Sequence, residues 1–284
     1  MPRIIKKSSL SRNERRLQAK LARRGPLVKP LKLDGENEFL SNINDRARDA
    51  IFPILVKIDG QDRIVGTGFY ITQDVFVTAK HVLEEYISGG RLMQAVGALH
   101  MNESDYTFRS MHRGAMTDDC DLFVGVFQPM HRTSDKSPLI NKRIAITARV
   151  PEVHEDISTF AYPNHEFFQI EGQGALNLWS SAFPGKVIEH YDQRGPSAKL
   201  KPPYFQTDVH IHPSASGAPV FDRYGKVCGV CSCSYDGATD VSFVTPIRPI
   251  LGLQVLDVMI EGNAGPRDFT VGQLAEMGFV RCEG

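Results

Sequence analysis

The sequence is poor in cysteine and has no long hydrophobic run, and both absences limit the class of protein. Its five cysteines are an odd number, and no secretory signal precedes them, so we expect reduced thiols in a cytoplasmic protein. No apolar run approaches the roughly 18 residues that a membrane span requires, so no span is expected. The N-terminus lacks the apolar stretch of a signal peptide. An organellar transit peptide is the remaining alternative there.

Charge is balanced over the whole chain but concentrated in its first residues. Of 33 basic and 33 acidic side chains, ten basic and one acidic lie in residues 1–29, so the rest has a net charge of −9. We interpret residues 1–45 as a basic arm that is a solvated tail. The alternative is that residues 1–29 contact a polyanion, such as nucleic acid or anionic lipid, or an acidic protein. No aromatic residues interleave these charges, so a platform for base stacking is missing.

From Ile51 onward, short runs rich in β-branched and aromatic residues alternate with turn signals. Such spacing is typical of an all-β sandwich or barrel. Helical patterns occur only at Ala79–Tyr86, Arg248–Ile260 and Val271–Met277. The β-rich runs are IFPILVKI, IVGTGFYI, VFVTA, MQAVGAL, DLFVGVF, RIAITA, ISTFAYP, KVIEHY, KVCGVCSC and VSFVTPI.

Three individually weak signals stand in the order His, Asp, Ser. His81 follows an apolar strand, Asp121 opens another, and Ser216 lies in the turn HPSASGAPVFD. The α/β-hydrolase order needs a histidine after the serine, but the last histidine, His212, precedes Ser216. The subtilisin order needs an α/β fold, which the strand pattern does not support. There is no HExxH motif for metal-assisted hydrolysis.

These motifs together resemble the trypsin-like serine endopeptidases, and in particular the HtrA/DegP-like protease domain. GTGFYIT with VTAKHV resembles the family's histidine motif, and DCDLFVGV its aspartate motif. QTDVHIHPSASGAPV resembles its nucleophile motif, and VSFVTPI the strand that follows. The resemblance implies two six-stranded β-barrels of the chymotrypsin/trypsin type, at about residues 46–148 and 155–246. A C-terminal helical segment, 247–284, completes the domain 46–284 and is too short for a PDZ domain.

The resemblance also implies a mechanism that needs no cofactor. Ser216 is the expected nucleophile, His81 the base that takes its proton, and Asp121 the acid that orients the imidazole. Asp118 and Asp119 are alternatives for the acid; Asp121 is preferred because it directly abuts the apolar strand. The backbone N–H groups of Ser214 and Ser216 are expected to form the oxyanion hole. A protein or peptide is the expected substrate.

One departure from the family pattern concerns this hole. Ser214 stands where the family has glycine, and a non-glycine residue pays a penalty of order 1 kcal/mol for positive φ. We therefore hypothesise that the hole is misformed at rest and that a peptide flip between Pro213 and Ser214 activates the enzyme. A constitutively competent hole and a dead site are the alternatives. A weakly catalytic peptide-binding module and a nucleic-acid-associated protein that acts through its arm are the competing functions.

The resemblance also places the wall of the specificity pocket. No acid stands at the position that gives trypsin its preference for basic residues, so small or medium apolar P1 residues are expected, with an acidic P1 as the alternative. The three thiols of CGVCSC are interpreted as packing of a buried strand, and no metal is expected. The pocket residues are His210 and Ile211 near the base and Ser232, Cys233 and Ser234 on the wall.

Overall fold

The computed structural model describes most of the chain from Ala50 onward. The basic arm lies outside the described residues, and so do the pocket candidates His210 and Ile211. The described ranges are 50–58, 61–88, 91–92, 96–101, 106–129, 142–170, 173–209, 213–235, 240–260 and 265–283.

The first half of the described chain forms a closed antiparallel barrel. Its strand order is β1-β2-β3-β8-β7-β6, and β4 and β5 form a separate two-stranded pair. A short helix, α1 (Lys80–Leu83), and a 3-10 turn (Glu84–Tyr86) follow β3, as the sequence predicted. The strands are β1 (Ile51–Ile58), β2 (Gln61–Tyr70), β3 (Val75–Thr78), β4 (Ile87–Ser88), β5 (Arg91–Leu92), β6 (Val96–Met101), β7 (Tyr106–Met116) and β8 (Phe123–Phe127).

The second half forms another closed six-stranded barrel. Its strand order is β10-β11-β14-β13-β12-β9. The predicted all-β architecture of two six-stranded barrels is therefore confirmed. The strands are β9 (Asp156–Ile170), β10 (Gln173–Tyr191), β11 (Tyr204–Thr207), β12 (Pro219–Phe221), β13 (Val227–Ser234) and β14 (Ser242–Pro246).

Aromatic side chains fill the core of the first barrel. The rings of Phe76 and Phe127 stack with centroids 4.3 Å apart, and Phe52 packs edge-on against both. Each such fully buried side chain contributes about 2 kcal/mol by leaving water. Arg109 is also buried here; its guanidinium lies 5.4 Å from the Phe127 ring centroid and is paired with the Asp74 carboxylate. The pairing compensates for the cost of burying both charges.

The C-terminal segment differs from its predicted helices. Residues Arg248–Gly252 form only a 3-10 turn, and the predicted helix Arg248–Ile260 is wrong beyond it because the chain continues as strand β15 (Gln254–Val258). This strand pairs with β16 (Arg267–Thr270). Helix α2 (Val271–Glu276) agrees with the prediction. No helix among the described residues is long or apolar enough to span a membrane.

The connection between the barrels is held by the C-terminus. The run RIAITA, which was predicted as a strand, contributes single bridges from Ile146 to Val227 and Cys282. The N–H of Thr147 donates to the Val227 carbonyl over 2.9 Å, and the N–H of Glu283 donates to the Ile146 carbonyl over 3.0 Å. The linker thereby joins a strand of the second barrel to the end of the chain.

A charged cluster fixes the same linker to the second barrel. Arg149 donates to both Glu155 carboxylate oxygens, over 2.7 and 2.5 Å, and to the Asp222 carboxylate over 2.8 Å. Its guanidinium also lies 5.3 Å from the Tyr224 ring centroid. The Glu155 side chain is only 4% exposed. The hydrogen bond from Arg149 lowers the pKa of Glu155 below its ordinary value.

Glu155→Gln is expected to lower the free energy of unfolding by about 2 kcal/mol at neutral pH, because Arg149 then loses one of its two charged partners. A carboxyl with a lowered folded-state pKa stabilises the fold above its unfolded pKa and loses this contribution as pH falls through the folded value. The difference from wild type, measured by urea unfolding, should therefore shrink as pH falls below the ordinary pKa of a glutamate.

Asp156→Asn is the matched control for this measurement. Asp156 pairs with Lys186 on the surface, where both side chains are mostly exposed. Exposed pairs contribute at most about 1 kcal/mol. Equal unfolding free energies for Glu155→Gln and wild type at neutral pH would contradict the assignment of the linker cluster.

Candidate active site

His81 stands at the junction of β3 and α1. The strand ends at Thr78, Ala79 is the N-cap in extended conformation, and the helix begins at Lys80. Val82 and Leu83 are buried and anchor this short helix to the barrel, whereas the His81 side chain remains 42% exposed. The packing of its neighbours thus fixes the backbone of His81 and leaves its imidazole accessible.

Asp121 is held in a turn that leads into β8. The N–H of Thr117 donates to the Leu122 carbonyl over 3.1 Å, and the Thr117 hydroxyl donates to the Cys120 carbonyl over 2.7 Å. This turn brings the acid to the start of the buried strand. The Asp121 side chain is 10% exposed, so water has little access to its carboxylate.

His81 and Asp121 are joined by two hydrogen bonds. His81 Nδ1 lies 2.8 Å from Asp121 Oδ2, and the backbone N–H of His81 donates to Oδ1 over 3.0 Å. An ionised carboxylate only accepts hydrogen bonds, so Nδ1 carries the proton and Nε2 keeps its lone pair. No hydrogen bond links His81 to the exposed alternatives Asp118 and Asp119, which are both described. This arrangement leaves Nε2 able to accept a proton.

The loop that carries Ser216 packs against the first barrel. The N–H of Thr67, on β2, donates to the Ser216 carbonyl over 2.8 Å. Gly217 has φ +85°, and a Cβ there would lie 2.0 Å from Thr78 Oγ1, so only glycine fits. A Cβ built on Gly66 would lie 2.8 Å from both the Ser216 carbonyl and a Val82 methyl. Ser216 therefore lies beside the helix that bears His81.

The structure describes both the serine and the histidine and shows no direct hydrogen bond between them. Among the hydrogen bonds of the described residues, none joins His81 to Ser216. Catalytic hydrogen bonds are often long in a site without substrate and shorten when substrate binds. The structure thus pairs His81 with Asp121 and places the loop of Ser216 beside the helix of His81.

Of the two residues expected to form the oxyanion hole, Ser214 lies in a 3-10 turn, Pro213–Ala215, and Ser216 directly follows it. In such a turn the N–H of residue i+3 donates to the carbonyl of residue i, which directs the Ser216 N–H towards the Pro213 carbonyl. The Ser214 carbonyl accepts a hydrogen bond from Thr67 Oγ1 over 2.9 Å. Ser214 is not among the described non-glycine residues with positive φ. In this conformation the Ser216 N–H is directed into the turn.

The predicted pocket residues differ in their exposure. Ser232 is fully buried and its hydroxyl lies 2.7 Å from Thr245 Oγ1. Cys233 and Ser234 are half-buried. Cys233 Sγ lies 3.8 Å from Ser197 Oγ, and burial raises the pKa of the Cys233 thiol, so it is uncharged at neutral pH. A neutral thiol at this position is compatible with the apolar P1 residues that the sequence predicted.

The buried thiols of β13 pack in the second barrel. Cys228 and Cys231 belong to its apolar core, and burial raises the pKa of Cys231 to about 12. Both sulfurs therefore stay protonated, whereas a thiolate is the metal-binding form. Within the described ranges, no three His, Cys, Asp or Glu side chains converge to hold a metal ion.

Two residues of the site, Lys80 and Thr67, stand inside the quoted motifs but were not singled out from the sequence. Lys80 Nζ donates to the Thr117 carbonyl over 3.0 Å and so attaches the turn of Asp121 to the helix of His81. Thr67 contacts the loop of Ser216 through both its N–H and its hydroxyl. All three bonds end on backbone carbonyls, and a carbonyl partner leaves no residue-type signature in a sequence.

Comparison with solved structures shows the same fold. A crystal structure of Deg5 matches with a TM-score of 0.55 and 19% identity, covering 77% of this chain and 93% of that chain. The inactive form of Rv3671c protease matches with a TM-score of 0.51 and 16% identity, covering 89% and 100%. Its active form, from M. tuberculosis, matches with a TM-score of 0.52 and 16% identity, covering 92% and 94%.

No curated protein matches the sequence significantly. The family model described as a trypsin-like peptidase domain matches residues 66–230, which is more than half of the chain. This range includes Thr67, the His81–Asp121 pair and the loop of Ser216. The chain belongs to the trypsin-like peptidase family.

Proposed function

We propose that this protein is a serine endopeptidase that cleaves protein substrates through Ser216, His81 and Asp121. The observation that carries the proposal is the two-point bond between His81 and Asp121, 2.8 and 3.0 Å, beside the loop of Ser216. A serine hydroxyl is a weak nucleophile at neutral pH and needs a base whose tautomer is fixed. Asp121 supplies that fixation, and Nε2 is the nitrogen left to take the proton of the serine.

In the proposed reaction, Ser216 Oγ attacks the carbonyl carbon of the scissile peptide bond and its proton passes to His81 Nε2. Asp121 stabilises the imidazolium that forms. His81 then gives the proton to the leaving amine, and the acyl group stays on Ser216 until a water molecule, deprotonated by His81, hydrolyses the ester. The N–H groups of Ser214 and Ser216 would stabilise the oxyanion after the 3-10 turn rearranges.

A second candidate function rests on that same turn. A protein that cannot release the Ser216 N–H from the Pro213–Ala215 turn would hold an extended peptide without cutting it quickly. Two half-buried residues at the end of β13, Cys233 and Ser234, are exposed enough to contact such a peptide. This candidate predicts peptide binding with little turnover, whereas the endopeptidase predicts peptide binding together with turnover.

Labelling with a fluorophosphonate probe separates the two functions. The probe reacts only with an activated serine, so stoichiometric modification of Ser216, located by peptide mass spectrometry, supports the endopeptidase. Cleavage of an unfolded protein such as casein, with mapping of the product termini, then reports the P1 preference. Binding of casein peptides without labelling would favour the peptide-binding module, and neither labelling nor binding would refute both.

The remaining sequence predictions stay proposals. A basic arm, 1–45, ahead of a protease domain, 46–284, is proposed from composition and motif positions. Contact between residues 1–29 and a polyanion or acidic protein is proposed from charge alone, as is the nucleic-acid-associated function that it would imply. A cytoplasmic location rests on the sparse cysteines.

A further inference from the structure

The strand β2 reaches the loop of Ser216 through one buried residue, Thr67. Its N–H donates to the Ser216 carbonyl over 2.8 Å, and its hydroxyl donates to the Ser214 carbonyl over 2.9 Å. Its own carbonyl accepts the Thr78 hydroxyl over 2.7 Å. Every polar group of Thr67 is thus engaged, and the residue has no exposed surface. We infer that the Thr67 hydroxyl is a positioning group for the nucleophile, an inference that rests on the proposed function.

The two bonds from Thr67 fix peptide planes on both sides of the nucleophile. The Ser214 carbonyl belongs to the peptide plane that precedes Ala215, and the Ser216 carbonyl to the plane that follows Ser216. Anchoring both planes to one residue restricts rotation of the loop between them. The peptide between Pro213 and Ser214 lies outside this pair of anchors and remains the part of the loop that can rotate.

Thr67 also links the loop to the strand that leads to His81. Thr78 ends β3, and Ala79 and α1 follow it directly. The Thr78 hydroxyl therefore ties Thr67 to the segment that carries the base, while the Thr67 hydroxyl ties it to the loop that carries the nucleophile. Two hydrogen bonds in series link the barrels here. The Thr78 hydroxyl donates to the Thr67 carbonyl, and the Thr67 hydroxyl donates to the Ser214 carbonyl. A methyl in place of the Thr67 hydroxyl breaks this chain at its second bond.

Thr67→Val keeps the shape of the side chain and removes only the donor. Because the loop then samples more orientations, kcat should fall about tenfold, equivalent to about 1.4 kcal/mol, while KM changes less than about twofold. Thr67→Ser retains the hydroxyl and should keep kcat within about threefold of wild type. Thr67→Cys, a weak donor of similar size, should lie between them and serves if the valine variant does not fold.

Thr72→Val is the matched control. Thr72 is a buried threonine of the same barrel whose hydroxyl accepts from the N–H groups of Asp74 and Val75, in the turn between β2 and β3. Its loss should lower stability and leave kcat per folded molecule unchanged. A Thr67→Val variant with wild-type kcat, or a Thr67→Ser variant as slow as Thr67→Val, would overturn the inference.

The two bonds from Thr67 to the loop form a clamp. Amide hydrogen exchange of the peptide that contains residues 213–218 tests this clamp without any turnover. Thr67→Val should speed exchange at Gly217 and Ala218, whose N–H groups donate to the carbonyls of Cys231 and Ala215. Thr67→Ser and Thr72→Val should not. If wild type shows no hydrolysis but the exchange pattern holds, the proposed function fails and the clamp stands. If wild type is active and exchange is unchanged in Thr67→Val, the clamp fails alone.

Discussion

Peptide hydrolysis is expected to fall to the background rate in both Ser216→Ala and His81→Ala. The alanine at position 216 removes the only proposed nucleophile, and the alanine at position 81 removes the base that activates it. The fold should survive in both, because His81 is exposed and neither side chain is part of the barrel cores. Measured thermal unfolding midpoints should stay within a few degrees of wild type, on the order of what surface substitutions cause.

Asp121→Asn should retain the geometry of the site and still reduce turnover by about 10⁴. The figure is the loss that the corresponding substitution causes in the serine protease triad of the chymotrypsin fold, and it is carried over by analogy. The physical reason is that an amide can donate to Nδ1, which stabilises the wrong imidazole tautomer. In the contact of 2.8 Å between His81 Nδ1 and Oδ2, this substitution can replace the acceptor by a donor.

Asp118→Asn and Asp119→Asn are the controls for that substitution. Both carboxylates are exposed and lie in the same turn, so they share the local charge without the bond to His81. Hydrolysis that disappears with Asp118→Asn or Asp119→Asn and persists with Asp121→Asn would move the acid assignment. Residual activity in Ser216→Ala would show that another group performs the attack.

The strands of both barrels could be predicted because each is a short apolar or alternating run with turn residues around it. IFPILVKI is buried along its first six residues, and KVCGVCSC supplies β13. RIAITA has the same pattern of apolar residues, but it forms the linker between the barrels and makes only isolated bridges at Ile146. Local pattern identifies an apolar segment; it does not determine whether a partner strand is available.

The wrong helix at Arg248–Ile260 has a specific cause in the backbone. Asp257 has φ +58°, and the register of β15 against β16 shifts between Val255 and Val258. The bulge lets Val255 and Val258, three positions apart, both face the core, which reproduces the spacing of an amphipathic helix in a strand. The irregular residue Asp257 therefore hid the two-residue alternation that is typical of a strand.

The candidate site was predictable where residue type carries the chemistry, and not where the backbone does. His81 and Asp121 were identified from motif order and lie 2.8 Å apart. Thr67 and Lys80 act by donating to carbonyls, and any residue provides a carbonyl. The conformation of the loop at Ser214 depends on those same bonds together with backbone preference, so the sequence raised the question of a misformed hole without answering it.

Ser214→Gly is expected to raise basal hydrolysis and the rate of fluorophosphonate labelling about fivefold to tenfold. The 3-10 turn at Pro213–Ala215 directs the Ser216 N–H at the Pro213 carbonyl, and Ser214 does not have positive φ. An oxyanion hole requires the peptide between Pro213 and Ser214 to rotate until the Ser214 N–H faces the substrate. Positive φ costs a non-glycine residue about 1 kcal/mol or more, and glycine removes that penalty.

Substrate would drive the same rotation in the wild-type protein by binding the rearranged loop better than the resting one. The glycine variant starts with a larger share of the rearranged state, so the gain should appear at low substrate concentration and diminish at saturation. The Thr67 bond to the Ser214 carbonyl does not oppose the change, because the rotating peptide is the one before Ser214.

Ser214→Ala separates backbone freedom from the loss of the hydroxyl. Alanine has the same penalty for positive φ as serine and no side-chain oxygen, so its basal rate should match that of wild type. Crystal structures of the substrate-free wild type and glycine variant complete the test: the 3-10 turn should persist in the first, and both N–H groups should point to one site in the second. Converging N–H groups in the wild type, with equal rates for all three proteins, would mean that the hole is always competent. No labelling of any of the three would mean that the site is catalytically dead.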